Sequence, residues 1–492
     1  MATIWINGVP QAVSVGTRLS EVLSRAPHPC GGKGVCGKCR IHAVGALSPL
    51  SAEEERHLTA FEIADGMRLS CCARIEGDCH VTLSTDSVMS VVADGKSETS
   101  ALSPTFAAYG VAVDIGTTTL VARLYDTRGR LLAQEGGVNP QVAYGADVLS
   151  RIQAVGEGRD LTTPLQEAVN GLLSRLATAA GIHTAAIDGA VITGNTAMLC
   201  LLTATDPMPL AHAPFALPAF FDEVRTAASL GLSALAPNRA VYLPPCAAAF
   251  IGADALCAAL ACDLDGTATA MLADMGTNGE MVLSHNGRIF ACSTAAGPAF
   301  EGVGISCGMP AVAGAIDQVT PLNGRLLCRA IGGGRAEGIC GSGLVDAAAC
   351  LLATEEMDAS GYMETTVSLG DGLTLTQEDI RALQQAKSAV CSGLQTLLHH
   401  AHLTADEVTT LYTAGGFGSR LNGSNAAAIG LIPQAFASRI HPVGNAALDG
   451  AAALLLDAHA RKRLTALAEK IQVIELATDP FFTDRFIRNM SF

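Results

Sequence analysis

Basic residues, long uninterrupted uncharged stretches and aromatic residues are scarce in this chain of 492 residues. The first two scarcities each exclude a class of protein. Lys and Arg number 31 against 46 Asp and Glu, which gives a formal net charge of −15. That balance argues against nucleic acid as a partner, because phosphate neutralisation needs clustered basic residues. The longest uncharged stretches, Leu421–Ser438 and Ser388–Ala405, are interrupted by Pro, Asn, Gln or His, so no membrane span is predicted. Aromatic residues make up only 4%, while 49% of residues are hydrophobic and many of these are alanine, which indicates a tightly packed protein.

The first thirteen residues also lack the marks of a targeting signal. Met1–Val13 alternates like a strand and has neither the basic start nor the apolar stretch of a signal peptide. We therefore expect a cytoplasmic protein. At about 150 residues per domain, the length allows about three structural units.

Cysteine, by contrast, is abundant and unevenly placed. Six of the 16 cysteines fall in residues 30–79, and ten are scattered from Cys200 to Cys391. In a reducing compartment the first group favours metal ligation, and the second group favours small buried side chains.

The first group contains a glycine-rich loop of the form C-x5-C-x2-C. Its cysteines are Cys30, Cys36 and Cys39, and a fourth thiol is available at Cys71 or Cys72. The glycines let backbone N–H groups point at a buried anionic centre, which suits a bound cluster better than a disulfide. A four-cysteine zinc site is the alternative, although such sites normally present two C-x2-C pairs.

Plant-type [2Fe–2S] loops have C-x4-C-x2-C spacing, one residue shorter than here. The loop resembles that of ferredoxins with a five-residue spacer, whose fourth ligand lies in an Arg-Leu-Ser-Cys strand, as in residues 68–71. The resemblance implies the following cluster ligands: Cys30, Cys36, Cys39 and Cys71. Cys72 competes for the last place, since neighbouring strand residues face opposite sides, and Cys79 is interpreted as a bystander.

Residues 1–91 are accordingly expected to form a small α+β domain of the ferredoxin-like (β-grasp) type. A hairpin is predicted around Asn7-Gly8, helices near residues 19–24 and 52–60, and strands at residues 67–75 and 80–83. Residues 92–105 are polar and proline-containing, which predicts a linker. Residues 106–492 then alternate strands and helices.

An internal repeat lies within that second part. Residues 110–132 and 269–291 each contain an apolar strand, Asp-x-Gly-Thr, a second strand, a turn and a third strand. The two aspartates, Asp114 and Asp274, are 160 residues apart. The repeat predicts two homologous α/β lobes, spanning about 106–265 and 266–492.

Each repeat has the composition of a phosphate-binding hairpin. Hydroxyls and backbone N–H groups can contact phosphate oxygens while the aspartate reaches Mg²⁺ or its waters. The residues concerned are Asp114, Gly116, Thr117, Thr118 and Thr119 in the first copy, and Asp274, Gly276, Thr277 and Asn278 in the second. The alternative is that both aspartates only cap their own turns.

Two glycine-rich segments follow, Gly341-Ser342-Gly343 and Gly415-Gly416. A glycine turn that opens a helix permits close approach to a nucleotide, although helix packing accounts for either segment equally well. Neither a Walker A sequence nor a strand-linked G-x-G-x-x-G is present, which excludes the P-loop and Rossmann alternatives.

This ordered set resembles the nucleotide motifs of the superfamily that contains acetate and sugar kinases, heat-shock ATPases and actin. Together with the cysteine loop, the motifs at residues 114–119, 192–198, 297–302 and 338–346 resemble those of the reductive activators of corrinoid proteins. The resemblance implies a two-lobed actin-like (RNase H-like) ATPase. It also implies an enzyme that uses ATP and Mg²⁺ to transfer one electron from a [2Fe–2S] cluster to Co(II), restoring methyl-accepting Co(I).

In that interpretation Asp114 and Asp274 organise Mg²⁺ and the attacking water, the hairpin hydroxyls contact phosphates, and Gly415 and Gly416 pass close to adenosine. The implied partners are the corrinoid protein of a methyltransferase system and an unknown upstream electron donor, with a homodimer as a common state of such folds.

Three other functions stay open. A radical-dehydratase activator shares the ATPase fold but carries a [4Fe–4S] cluster between two subunits. A small-molecule kinase with a fused redox domain needs a carboxylate base, for which Asp254 is the candidate. An actin-like interaction module would need no ATP turnover.

Overall fold

The computed structural model describes residues 2–6, 9–23, 40–58, 62–63, 66–82, 102–145, 147–322 and 325–492. It separates into two compact units. The first comprises residues 1–96, 309–339 and 368–374, and the second comprises residues 97–308, 340–367 and 375–492. Most of the predicted linker lies outside the described residues. None of the helices in the described ranges is long and apolar enough to cross a membrane.

The N-terminal residues form a mixed sheet in the order β2-β1-β5-β3-β4, in which β1 and β5 are parallel. Its strands are β1 (Ala2–Ile6), β2 (Val9–Val13), β3 (Arg40–Leu47), β4 (Met67–Leu69) and β5 (Ile75–Thr82), and its helices are α1 (Leu19–Val22) and α2 (Ala52–His57). Alternate apolar residues such as Ile4, Ile41 and Ile75 form the core of this sheet.

The single strand predicted over residues 67–75 is wrong. Strand β4 ends at Leu69, because the N–H groups of Cys72 and Ala73 both donate to the Leu69 carbonyl at 2.9 Å and close a turn. The chain then restarts as β5 at Ile75.

The second unit holds two sheets, which define a first and a second lobe. The first lobe contains β6 (Tyr109–Ile115), β7 (Thr119–Asp126), β8 (Leu131–Val138), β9 (Ile187–Gly194), β10 (Glu223–Thr226) and β11 (Ala240–Leu243), with α3 (Val148–Gly156), α4 (Thr162–Ala180), α5 (Thr196–Leu202) and α6 (Ala253–Ala261). Its strand order is β10-β11-β9-β6-β7-β8.

The second lobe has a similar arrangement and begins with β12 (Ala270–Met275), β13 (Gly279–His285) and β14 (Arg288–Thr294). Its further elements are β15 (Ala315–Leu322), β16 (Arg325–Ala330), β17 (Gly338–Ile339), α7 (Gly341–Ala353), β18 (Val367–Gly370), β19 (Leu373–Leu375), α8 (Gln377–Ala401), β20 (Thr410–Ala414), α9 (Gly415–Gly418), α10 (Gly423–Ala428), β21 (Ile440–Gly444), α11 (Ala446–Leu456), α12 (Ala458–Lys470), β22 (Ile471–Val473) and α13 (Pro480–Arg488). Residues of β15–β17 and most of β18–β19 belong to the first compact unit.

The predicted duplication is confirmed by the topology. In the first lobe β11-β9-β6-β7-β8 corresponds to β21-β20-β12-β13-β14 in the second, and each set has two parallel pairings followed by two antiparallel ones. Helices α6 and α11 share one apolar cluster with residues of both sheets, including Ala112 and Leu272. A Cβ at Gly450 would stand 2.0 Å from the Cys257 carbonyl oxygen, so the two helices approach at the distance only glycine allows. Small residues are therefore required at this contact.

Candidate nucleotide site

The two repeated aspartates occupy the same place in the two lobes. Asp114 is the penultimate residue of β6, and Asp274 is the penultimate residue of β12. Because successive strand residues alternate faces, each lies on the face of its sheet that carries Ala112 or Leu272, which belong to the apolar cluster shared by both lobes. The repeat therefore brings two carboxylates toward one another.

Their electrostatics agree with this proximity. Burial raises the pKa of Asp274 to about 6, and the negative charges of Asp114 and Glu301 act in the same direction. Burial also raises the pKa of Asp114 to about 6, although Asn445 Nδ2 donates a hydrogen bond to its Oδ2 at 2.8 Å, which favours the charged form. A divalent cation would relieve this repulsion.

Two more acidic residues join the pair. Asp254 lies in the first turn of α6, where burial raises its pKa to about 7 and the charges of Asp114 and Asp274 contribute. Glu280 lies opposite Asp274 in the β12–β13 pairing, and burial, with the charges of Asp254 and Asp274, raises its pKa well above the usual value. Sequence reasoning considered Asp254 only as a kinase base and missed Glu280, although its antiparallel register with Asp274 follows from the hairpin turn.

The first hairpin is held by amide side chains. Asn195, which caps α5, donates from Nδ2 to Thr117 Oγ1 at 3.1 Å. Asn139, directly after β8, donates from Nδ2 to the Gly116 carbonyl and from its backbone N–H to the Thr118 carbonyl, both at 2.9 Å. Thr118 and the neighbouring Thr119 are exposed at the tip of the hairpin.

The second hairpin is held differently. Thr277 N–H donates to Glu301 Oε1 at 3.0 Å, and Gly297 N–H donates to the Thr277 carbonyl at 3.0 Å. Within the turn, Gly276 N–H donates to the Asn278 carbonyl at 3.1 Å. Glu301 and Asn139 were both missed, because their contacts depend on loops that follow the third strand of each repeat.

The two glycine-rich segments differ in their surroundings. Residues 341–343 are buried in the first turn of α7, and a Cβ at Gly341 would stand 2.3 Å from the Phe300 carbonyl oxygen and 2.8 Å from the Phe417 ring. A Cβ at Gly415, whose φ is +81°, would stand 2.9 Å from Asp274 Oδ1, whereas Gly416 is exposed with open space around it. Packing thus requires glycine at 341, and a left-handed backbone close to Asp274 requires it at 415.

Of the predicted cluster ligands, the structure describes only the last, at residues 71 and 72. Cys30, Cys36 and Cys39 lie outside the described residues. Cys71 is buried and Cys72 half-buried in the turn after β4, with their sulfurs 3.7 Å apart. The expectation that strand alternation would turn them to opposite sides is therefore wrong, because neither residue is in a strand. Cys79 is fully buried in the separate cluster that contains Ile4 and Ile75.

Duplicated lobes with an aspartate at the tip of the first strand in each define an actin-like ATPase. Residues 268–492 match the family model described as the C-terminal domain of RACo, the ASKHA domain, and residues 109–267 match the model of the RACo middle region. ASKHA domains are ATP-binding, so this fold implies ATP as ligand.

The similar proteins narrow the class further. The chain is 33% identical over 422 residues to the corrinoid activation enzyme RamQ of Eubacterium limosum, which covers 78% of this chain and 70% of that protein. It is 26% identical over 419 residues to a [Co(II) methylated amine-specific corrinoid protein] reductase of Methanosarcina barkeri, covering 78% and 77%. A solved structure of a reductive activator for corrinoid, iron-sulfur protein superposes with a TM-score of 0.73 at 27% identity, over 100% of this chain and 98% of that one. The chain belongs to the family of corrinoid activation enzymes.

Proposed function

We propose that this protein is an ATP-dependent reductase that returns a corrinoid protein of a methyltransferase system from Co(II) to Co(I). The observation that carries the proposal is the structural match to a reductive activator over the whole chain, from the N-terminal sheet to α13. Because the match spans both compact units, it supports one activity that uses both of them.

In the ATPase unit, Asp114 and Asp274 would hold Mg²⁺, and the hairpin hydroxyls and N–H groups would contact the nucleotide phosphates. Carboxylate oxygens are the ligands that Mg²⁺ prefers, and the raised pKa values of both aspartates support a site built for a cation. Asp254, at the start of α6, would orient the attacking water, and its pKa, raised to about 7, suits a general base. The residues Gly341, Ser342, Gly343, Gly415 and Gly416 would line the rest of the nucleotide.

In the N-terminal unit, the strand order β2-β1-β5-β3-β4 supports a ferredoxin-like (β-grasp) domain. Cys30, Cys36, Cys39 and either Cys71 or Cys72 would hold a [2Fe–2S] cluster, which when bound supplies a one-electron carrier. Two thiols in a single turn fit such a site better than two thiols on opposite strand faces.

Glu54 forms hydrogen bonds with the end of the strand that leads into the turn carrying these thiols. Its carboxylate accepts hydrogen bonds from Arg68 Nε at 2.8 Å and from Leu69 N–H at 3.1 Å, immediately before the turn. Burial opposes ionisation of Glu54, but the hydrogen bonds from Arg68, Ser51 and Leu69 outweigh it and lower its pKa. Glu54 therefore holds the end of β4, two residues before Cys71.

ATP is needed because Co(I) requires a very low potential. Plant-type [2Fe–2S] centres have potentials near about −400 mV, and each 59 mV of deficit lowers the one-electron equilibrium constant tenfold. We infer that nucleotide binding and hydrolysis change the affinity for the corrinoid partner, so that binding energy alters the effective cobalt potential. The involvement of an upstream electron donor, the cytoplasmic location and the homodimer stay predictions.

The activator of a radical dehydratase is the second candidate, because it shares the ATPase fold. The type of cluster separates the two, because both possibilities amount to two irons per chain. We expect the electron paramagnetic resonance signal of a reduced [2Fe–2S] centre held within one chain, whereas the signal of a [4Fe–4S] centre shared by two chains would support the alternative.

ATP turnover with a corrinoid protein tests the proposal. We expect the Co(II) form of the corrinoid protein to stimulate ATP hydrolysis by the reduced holoprotein, and Asp274→Asn to lower turnover about 100-fold or more. Asp406→Asn, at a side chain that is 80% exposed, is the charge-matched control. Unstimulated turnover, or phosphorylation of a metabolite, would contradict the proposal.

A further inference from the structure

Glu301 occupies the place on the second hairpin where a phosphate is expected. Its Oε1 accepts the Thr277 N–H at 3.0 Å, and a Cβ at Gly276 would stand 3.5 Å from the same oxygen. The carboxylate therefore lies against the turn itself. Backbone N–H groups of such turns are the usual donors to phosphate oxygens.

The internal repeat provides a comparison within the same chain. In the first lobe, the loop after β8 places Asn139 on the hairpin, and its neutral amide donates to the Gly116 carbonyl. In the second lobe, the loop after β14 places Glu301 on the hairpin, and its carboxylate accepts from an N–H. The backbone bonds from Asn139 to Thr118 and from Gly297 to Thr277 show that the two loops brace their hairpins alike. The difference is that, among the described residues, a negative charge lies on a hairpin N–H in the second lobe and a neutral amide lies on the hairpin in the first.

The backbone around Glu301 is fixed independently of this contact. The Phe300 ring stacks on the Phe417 ring with centroids 4.3 Å apart and planes 9° apart, and both side chains are buried. The carboxylate itself is half-buried. The Glu301 side chain can therefore leave the hairpin by a rotamer change while Phe300 keeps the segment in place.

We propose that Glu301 is an internal anion that competes with the nucleotide phosphates for the Thr277 N–H. In this structure its Oε1 accepts from that N–H, and ATP must displace it. The inference rests on the proposed role of the second hairpin in binding phosphates. Glu301 is thus a positioning residue that sets ATP affinity.

Equilibrium binding of Mg-ATP and of adenosine to the purified full chain tests this assignment. Glu301→Gln keeps the shape and removes the charge, and hydrogen bonds to charged groups are stronger than neutral ones by about the energy of a tenfold change in affinity. We therefore expect the Kd for Mg-ATP to fall about tenfold and the Kd for adenosine, which has no phosphate, to stay unchanged. Glu301→Asp, whose carboxylate is one methylene shorter, should tighten ATP binding by a smaller factor because the charge remains. Glu364→Gln, at an exposed site, is the matched control.

Two outcomes of the binding experiment would contradict the assignment. Weaker or unchanged ATP binding in Glu301→Gln would overturn the assignment and indicate a magnesium ligand or a structural brace, and an equal shift for adenosine would indicate a general rearrangement. If the wild-type chain binds Mg-ATP and supports corrinoid reduction while Glu301→Gln fails to tighten binding, only this inference is lost. If the wild-type chain binds no Mg-ATP, the proposed function is lost with it.

Discussion

At the scale of single residues, the nucleotide site is dominated by like charges that oppose one another. Asp114, Asp254 and Asp274 are each half-buried, and burial raises the pKa of each to between about 6 and about 7. Evolution of a stable core alone would not place three acids together, since each destabilises the others. The repulsion within the cluster destabilises the fold, and the proposed Mg²⁺ would offset it.

Replacing one of these acids is expected to stabilise the nucleotide-free protein at high pH. The unfolded pKa of Asp254 is about 3.9 and its folded pKa is about 7. Its contribution to stability is therefore fully present below about pH 4 and is lost as the pH rises through about 7. We expect Asp254→Asn to raise the Tm by about 2–4 °C at pH 8, which corresponds to about 1 kcal/mol, with a smaller rise at pH 5.

Thermal unfolding at both pH values, without Mg²⁺, checks this expectation. Asp406→Asn provides the exposed control, for which no pH-dependent difference is expected. A Tm difference that is the same at pH 5 and pH 8 would show that Asp254 is not held in a charged cluster.

The fourth cluster ligand is also a question about single residues. The sulfurs of Cys71 and Cys72 are 3.7 Å apart in one turn. We therefore expect either thiol to be able to replace the other as the fourth ligand. We expect Cys72→Ser to retain the full iron content, Cys71→Ser to retain a cluster with an altered paramagnetic resonance signal, and the double variant to bind none. Cys79→Ser, in the separate apolar cluster, is the control for thiol loss. Complete loss of iron in Cys71→Ser alone would mean that Cys72 cannot substitute.

At the scale of elements, helix α11 of the second lobe reaches back to the first. Its cap residue Asn445 bonds Asp114, and its Asp449 forms an ion pair with Arg123 of β7. Gly450, one residue further, contacts the Cys257 carbonyl of α6. The helix therefore connects the first hairpin strand to the interface between the lobes.

This close approach predicts that any residue larger than glycine at position 450 destabilises the protein. A methyl group there would stand 2.0 Å from a backbone oxygen that cannot move freely, so we expect Gly450→Ala to lower the free energy of unfolding by about 2 kcal/mol or more. Gly171→Ala, in α4, meets only the far end of the Arg175 side chain at 3.6 Å and should be neutral or stabilising through helix propensity. Chemical denaturation of both variants measures the difference. Equal stabilities would contradict the packing account.

The elements also show where sequence reasoning succeeds and where it stops. The duplication was predictable because strands and hairpin turns have local signals, and Asp114 and Asp274 stand in those signals. The Asn139 and Glu301 contacts were not, because each is made by an irregular loop after the third strand. The motif at residues 297–302 includes Glu301, but a motif does not show which group a side chain contacts. The turn at Cys71 was missed for a similar reason. The hydrogen bonds that end β4 at Leu69 are made by backbone groups, so the residue types do not predict them.

At the scale of the whole molecule, the chain combines a small mixed sheet that carries thiols with a duplicated ATPase that carries opposed carboxylates. Its match to a reductive activator extends over both parts. In the proposed function, nucleotide turnover in one part drives electron transfer from the other.

Single-turnover cobalt reduction tests that claim most directly. The dithionite-reduced holoprotein is mixed with the Co(II) form of a corrinoid protein, with and without Mg-ATP, and Co(I) is followed by its absorbance. Our account predicts rapid Co(I) formation only with Mg-ATP, and the loss of that dependence together with most of the Co(I) in Asp274→Asn. Equal rates and yields of Co(I) with and without Mg-ATP would contradict it.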